Sequence, residues 1–185
     1  TTTRHSHPES GLTNVSPMNE QHRSLVLMRH AKSAYPDGVG DHERPLAARG
    51  VREAGLAGDW LRANLPTIDS VLCSTAARTR ETLARIGIDA PVRYVERLYG
   101  AAPGTVIDEI NRVADEVKTL LVIGHEPTTS ALALILTGDT DTAAAQRISE
   151  KFPTSAIAVL GVPGHWADLE PSGAALVAFH VPRSG

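Results

Sequence analysis

The stretch Leu25-Val26-Leu27-Met28-Arg29-His30 decides how this chain folds. Four apolar residues run without a polar interruption and stop at an Arg-His pair. Two other stretches have the same shape. Asp69-Ser70-Val71-Leu72-Cys73 runs into Ser74-Thr75, and Thr119-Leu120-Leu121-Val122-Ile123 runs into Gly124-His125. Short continuous apolar runs suit strands buried on both faces, as in a parallel sheet. Between them the apolar spacing changes to that of helices. Ala47, Val51, Ala54, Gly58, Leu61 and Leu65 form one stripe, with Pro45 expected in the first turn, and Val106, Ile110, Val113 and Val117 form another. Further helices are expected to open at Thr75 or Ala76 and at Pro127. Two late strands are expected over Ala156–Leu160 and Ala174–Val181. Strand–helix alternation with short connections predicts a single α/β domain, a mostly parallel central sheet with helices on both faces.

In such sheets ligands bind beyond the carboxyl ends of the strands. Three strands here finish in groups suited to an anion: Arg29-His30, Ser74 leading to Arg78, and Gly124-His125. A charge directly after a buried strand is costly unless it leaves the core for a polar site. Arg78 falls in the first turn of the helix expected after Ser74, where the macrodipole disfavours a cation. An anion bound there would offset that cost and engage the backbone N–H groups. Each residue also has a plainer reading. Arg29-His30 suits a strand reaching the surface, and His125 suits a core histidine bonded to a backbone carbonyl.

Composition narrows the function. The 185 residues carry 18 Lys and Arg against 21 Asp and Glu, a formal net charge of −3. That balance argues against a nucleic-acid partner, which requires a strongly basic surface. Hydrophobic residues at 42% and charged residues at 21% are ordinary for a globular domain. No apolar run approaches the roughly 20 residues of a membrane span, so no membrane partner is expected. The single cysteine, Cys73, excludes an intrachain disulfide and a multi-cysteine zinc site. Residues 1–23 are rich in Ser, Thr, Asn and Pro and are expected to form a flexible tail, with the domain over residues 24–185. They lack the apolar core of a secretory signal, and a cytoplasmic location is expected.

Taken together, the segments resemble the histidine phosphatase superfamily, with its phosphoglycerate mutase-like fold. Leu27-Met28-Arg29-His30-Ala31-Lys32-Ser33 resembles its Arg-His nucleophile motif, and Ser74…Arg78…Thr82 its second-arginine motif. Val122-Ile123-Gly124-His125-Glu126-Pro127 resembles its second-histidine motif, and Asp41-His42-Glu43-Arg44-Pro45-Leu46 the segment opening its first helix. The order is kept from about Ser24 to Val181. Lys151-Phe152-Pro153-Thr154-Ser155-Ala156 adds to the likeness to the small SixA-type phosphohistidine phosphatases.

The resemblance implies a metal-independent phosphatase without a cofactor. His30 would be the nucleophile, forming a phosphohistidine intermediate that water hydrolyses. Arg29, Arg78 and His125 would clamp the phosphoryl oxygens. Attack needs a neutral ring on His30, with the other nitrogen donating to an acceptor such as a backbone carbonyl. Glu96, in Val95-Glu96-Arg97-Leu98-Tyr99-Gly100, resembles the acidic residue of the mutase branch and is the first choice of proton donor; Asp41 is the second. Lys32, Ser33 and Arg44 are near the site in sequence, as rim residues. Only Ala101 to Gly104 separate Gly100 from the next helical stripe, where larger relatives insert a cap. The pocket is therefore expected to be shallow and open, suited to phosphohistidine on a protein surface. A phosphomonoesterase acting on small phosphate esters is the alternative, and a non-catalytic phosphate-binding module the second.

Other chemistries fit less well. Cysteine phosphatases place five residues between the nucleophile and its arginine, whereas Cys73 and Arg78 are separated by four, so Cys73 reads as a buried hydrophobe. A Gly-x-Ser-x-Gly elbow is missing, and Gly38-Val39-Gly40 lacks the third glycine and the preceding strand of a dinucleotide site. A metal held by His30 and His125 would be repelled by Arg29 and Arg78.

Overall fold

The computed structural model describes residues 22–183. Three of the buried apolar runs become parallel strands: β1 (Arg23–Arg29), β2 (Ser70–Ser74) and β4 (Thr119–Gly124). β3 (Val92–Val95), β5 (Ile157–Val162) and β6 (Ala175–His180) complete one sheet in the order β3-β2-β4-β1-β5-β6. The first four strands in that order are mutually parallel, whereas β5 runs antiparallel to both β1 and β6. Five helices cover the two faces: α1 (Ala48–Asn64), α2 (Ala77–Ile86), α3 (Pro103–Asn111), α4 (Thr128–Thr137) and α5 (Ala143–Glu150).

Alternation within the central strands divides the core. Val26 and Met28 pack under α1 and α2 with Ala54, Ala57, Leu61 and Leu83. Leu25 and Leu27 face the other way, onto Val106, Ile110, Leu132 and Leu136. Leu25, Val26 and Met28 are fully buried and Leu27 is 1% exposed, so β1 is wet on neither face. Two glycines let α1 lie close. A Cβ on Gly50 would stand 2.1 Å from the Lys32 carbonyl oxygen, and one on Gly58 would stand 2.2 Å from the Ile86 carbonyl oxygen. The first contact fixes the start of α1 against the loop that follows β1.

Several boundaries differ from the sequence expectation. The domain begins one residue early: Arg23 lies in β1, buried, donating to the carbonyls of Gly164 and Asp115. The rest of the expected tail, residues 1–21, lies outside the described residues. Pro45 precedes α1 instead of opening it. Its carbonyl accepts from Ala34 N, and Leu46 bridges to Ser33, so this stretch pairs across the chain. α3 stops at Asn111 because that side chain turns to the carbonyls of Trp166 and Leu169. Val113 and Val117 still pack on the core, but from turns rather than from the expected helix.

Gly58 and Gly55 offer a paired test. Gly58→Ala meets the backbone of Ile86 and should destabilise the fold by about 1–3 kcal/mol. Gly55→Ala meets nothing within 4 Å and should stabilise by roughly 0.5–1 kcal/mol through helix propensity. Urea unfolding midpoints of the two variants measure both.

Candidate active site

The cavity sits where the three parallel strands end. Arg29 is the last residue of β1, Ser74 of β2 and Gly124 of β4. His30 and His125 follow directly, and Arg78 is the second residue of α2. Arg29, His30, Arg78 and His125 line one cavity of about 200 Å³, together with Lys32, Ser33, Tyr35, Arg44, Glu126 and Thr154. The His30 and His125 rings stand 5.3 Å apart, tilted by 54°.

Hydrogen bonds hold the loop that carries His30 on every side. Arg29 N donates to Ala156 O, His30 N to Gly124 O, and Ala31 N to the Thr82 hydroxyl. The His30 carbonyl in turn accepts from Ser155 N. Ser155 adopts φ 67, a left-handed conformation rare for a residue with a Cβ, and it is fully buried. Such a conformation costs of order 1–3 kcal/mol, which the surrounding contacts must offset.

The His30 ring has one nitrogen engaged and one free. Its Nδ1 lies 2.7 Å from the carbonyl oxygen of Ala31. A carbonyl can only accept, so the neutral ring carries its proton on Nδ1 and leaves the Nε2 lone pair free. Burial, followed by the nearby His125, Arg78 and Arg29, pushes its pKa down to about 3, against the Ala31 bond, which raises it.

The cations are oriented by acceptors outside the cavity. Arg29 Nη1 donates to Phe152 O at 2.9 Å. Arg78 Nη1 donates to the Asp41 carbonyl at 2.8 Å, and Nη2 to the Asp41 carboxylate at 3.2 Å. His125 Nε2 lies 2.8 Å from Ser74 Oγ, which itself accepts from Ala76 N. The one hydroxyl proton of Ser74 can then go to His125, which leaves the ring proton on Nδ1. Burial and then Arg78 press the His125 pKa to about 4. Arg29 Nε, Arg78 Nε and His125 Nδ1 are buried and have no hydrogen-bond partner among the described residues. All three belong to residues that line the cavity, and leaving such groups unpaired is costly. No side chain caps α2, whose first-turn N–H groups add to that field.

The structure separates the two candidate acids. Glu96 opens the short 3-10 turn Glu96–Leu98, is exposed, and is not among the cavity-lining residues. The same segment instead brings Tyr99 to the site, with its ring 5.6 Å from that of His125 and its hydroxyl donating to Asp41. Asp41 is drawn down to a pKa of about 2, chiefly by the Tyr99 hydroxyl, then by Arg44 and Arg78. It therefore rests ionised and holds cations rather than donating a proton. Tyr99, Tyr35, Thr154 and Glu126 had no role in the sequence reading. Arg44 does line the cavity, bonded to Ser33 Oγ and stacked 4.1 Å from Tyr35. The Cys73 thiol is fully buried and donates to Ser74 O, and burial pushes its pKa up to about 12, which agrees with its reading as a packing residue. No group of three His, Cys, Asp or Glu suited to a metal occurs among the described residues.

Both histidines have folded pKa values below the unfolded value of 6.5. The unfolded chain therefore binds more protons as pH falls through that value. Stability should be fully present above pH 6.5 and fall as the pH drops, down to about 4 for the His125 contribution and about 3 for that of His30. Replacing His30 with Gln should remove part of that slope. Nitrogen-15 spectra at pH 6 should show His30 neutral and protonated on Nδ1; a ring titrating near 6.5 would contradict this geometry.

Comparison with known proteins agrees with the site. The model of the histidine phosphatase superfamily (branch 1) matches residues 25–120, a span holding Arg29, His30 and Arg78 but ending before His125. A Mycobacterium tuberculosis protein of uncharacterized function is 76% identical over 158 residues, 84% of this chain and all of the relative. The Escherichia coli phosphohistidine phosphatase SixA is 32% identical over 142 residues, 72% of this chain and 82% of its own length. A solved structure from Nakamurella multipartitia, provisionally assigned as a phosphohistidine phosphatase SixA, superposes with a TM-score of 0.82 at 43% identity, covering 88% of this chain and 98% of its own. Fold, motif order and these likenesses agree, and the chain belongs to the histidine phosphatase superfamily, in its SixA-type branch.

Proposed function

We propose that this chain removes the phosphoryl group from phosphohistidine carried on a protein, by way of a phosphohistidine intermediate on His30. The observation that carries the reading is the His30 ring. Its proton is committed to Ala31 O, and its free nitrogen opens into a cavity lined by Arg29 and Arg78. The Nε2 lone pair would form a bond to phosphorus as the substrate's P–N bond breaks. The departing imidazole takes the bonding pair and a proton from solvent. Water then attacks the phosphorus, the P–Nε2 bond breaks, and orthophosphate leaves. Arg29 and Arg78 would hold the equatorial oxygens throughout. A dianion beside His125 would raise that ring's pKa from its depressed value and so favour a proton there.

The shape supports a substrate displayed on a surface. About 200 Å³ is below the roughly 300–1,000 Å³ of pockets that enclose a whole small molecule. Two residues, Ala101 and Ala102, join Gly100 to the start of α3. The connection is too short to form a cap. Asp41 is ionised, which fits a leaving nitrogen that needs little acid assistance.

His30→Ala should abolish hydrolysis of an aryl phosphate while leaving the melting transition in place. Arg78→Ala should lower kcat/KM by at least about 100-fold. Retained activity in His30→Ala would overturn the nucleophile assignment. Turnover of a phosphohistidine protein should exceed that of sugar phosphates and nucleotides at equal concentration. A marked preference for one of those metabolites would favour the small-ester reading instead.

A further inference from the structure

The cavity is the head of a longer cationic track. Four cations line it, Arg29, Lys32, Arg44 and Arg78, against one carboxylate, Glu126. Thr154 is shared with an adjoining groove that adds Arg49, Lys151 and Arg183, against Glu53. Arg183 in turn belongs to a third, open depression that adds Arg52, Arg62 and Arg85, against Asp59. Depressions that share a lining residue adjoin, so the three form one path. It starts beside His30 and follows the outer side of α1. That helix is anchored at its start against Lys32 and further along against Ile86, the last residue of α2.

The track is not neutralised by its own surroundings. Arg49 is paired with Glu53 and Arg62 with Asp59. Arg52, Arg85, Lys151 and Arg183 are exposed and have no ion pair among the described residues. The chain as a whole carries a net charge of −3, so this is a local concentration and not a reflection of overall basicity. Unpaired like charges along one line repel one another, an arrangement that an oppositely charged partner relieves. Leu56, 38% exposed, lies in the depression between them and gives an extended chain an apolar contact.

We propose that this track binds an acidic segment of the protein whose phosphoryl group enters the cavity. The inference rests on the phosphoprotein reading above and adds the chemistry of the partner. α1 has 17 residues and is about 25 Å long at ~1.5 Å per residue. An extended chain of eight residues spans about 26 Å at ~3.3 Å each, so such a segment matches the length of the helix.

Fluorescein-labelled octaglutamate is the probe, read by anisotropy on the full chain at 50 and 300 mM NaCl, with octalysine as the control. Octaglutamate should bind at low salt and weaken several-fold at high salt, and octalysine should not bind. The variant Arg52→Glu/Arg85→Glu/Arg183→Glu should bind at least tenfold more weakly while hydrolysing an aryl phosphate within twofold of the parent. Single reversals at the same positions, each expected to cost about threefold, carry the test if the triple variant does not fold. Failure of octaglutamate to bind, or equal binding by the reversal variants, would overturn the proposal. Tenfold tighter binding of an eight-nucleotide single strand would overturn it too, by pointing to a nucleic-acid occupant. Binding does not depend on turnover. A track that binds octaglutamate beside a site inactive on phosphohistidine would count against the proposed reaction alone.

Discussion

The site depends on keeping one buried imidazole uncharged beside two permanently charged guanidiniums. His30 is 7% exposed, and a proton on its ring would be opposed by burial, His125, Arg78 and Arg29 together. The bond from Nδ1 to Ala31 O decides which nitrogen keeps the remaining proton. Neutrality and tautomer are therefore set before any substrate arrives. In the proposed reaction, that pre-organisation would let fixed charges act on a developing phosphoryl transition state without reorganising.

The fold provides that arrangement through strand ends. Three parallel strands finish side by side, and each places a residue of the candidate site, Arg29, Ser74 or His125, at or just past its last position. Backbone bonds from Ala156, Gly124 and Ser155 then fix the peptide on both sides of His30. The guanidiniums are aimed from behind, by Phe152 O on Arg29 and by Asp41 on Arg78. Asp41 joins Arg78, Arg44 and Tyr99 and stays ionised while it does so. The Asp41 carboxylate thus acts as a brace for cations.

Much of this was legible in the sequence, for a physical reason. The buried strands read as unbroken apolar runs, and His30, Arg78 and His125 stand at fixed offsets from their ends. What was not legible lies where tertiary contacts override local pattern. β3 is a four-residue strand at the sheet's edge with Arg93 and Tyr94 exposed, so it shows no apolar run. α5 is short and alanine-rich; its one local signal is Thr142, whose hydroxyl accepts from Ala145 N at the helix start. Glu96 resembled the family's acid by position, yet the turn it opens leaves it exposed and sets the Tyr99 ring against His125 instead. The cationic track was invisible because its residues come from α1, α2, Lys151 and Arg183, far apart in sequence, and the net charge averages them away.

The stereochemistry of phosphoryl transfer tests the central claim most directly. A substrate chiral at phosphorus by oxygen isotopes would be hydrolysed in isotopic water, and the configuration of the released phosphate determined. Attack by His30 followed by attack by water comprises two in-line displacements, so the account predicts retention of configuration. Inversion would mean a single direct displacement by water, and would contradict His30 as the nucleophile.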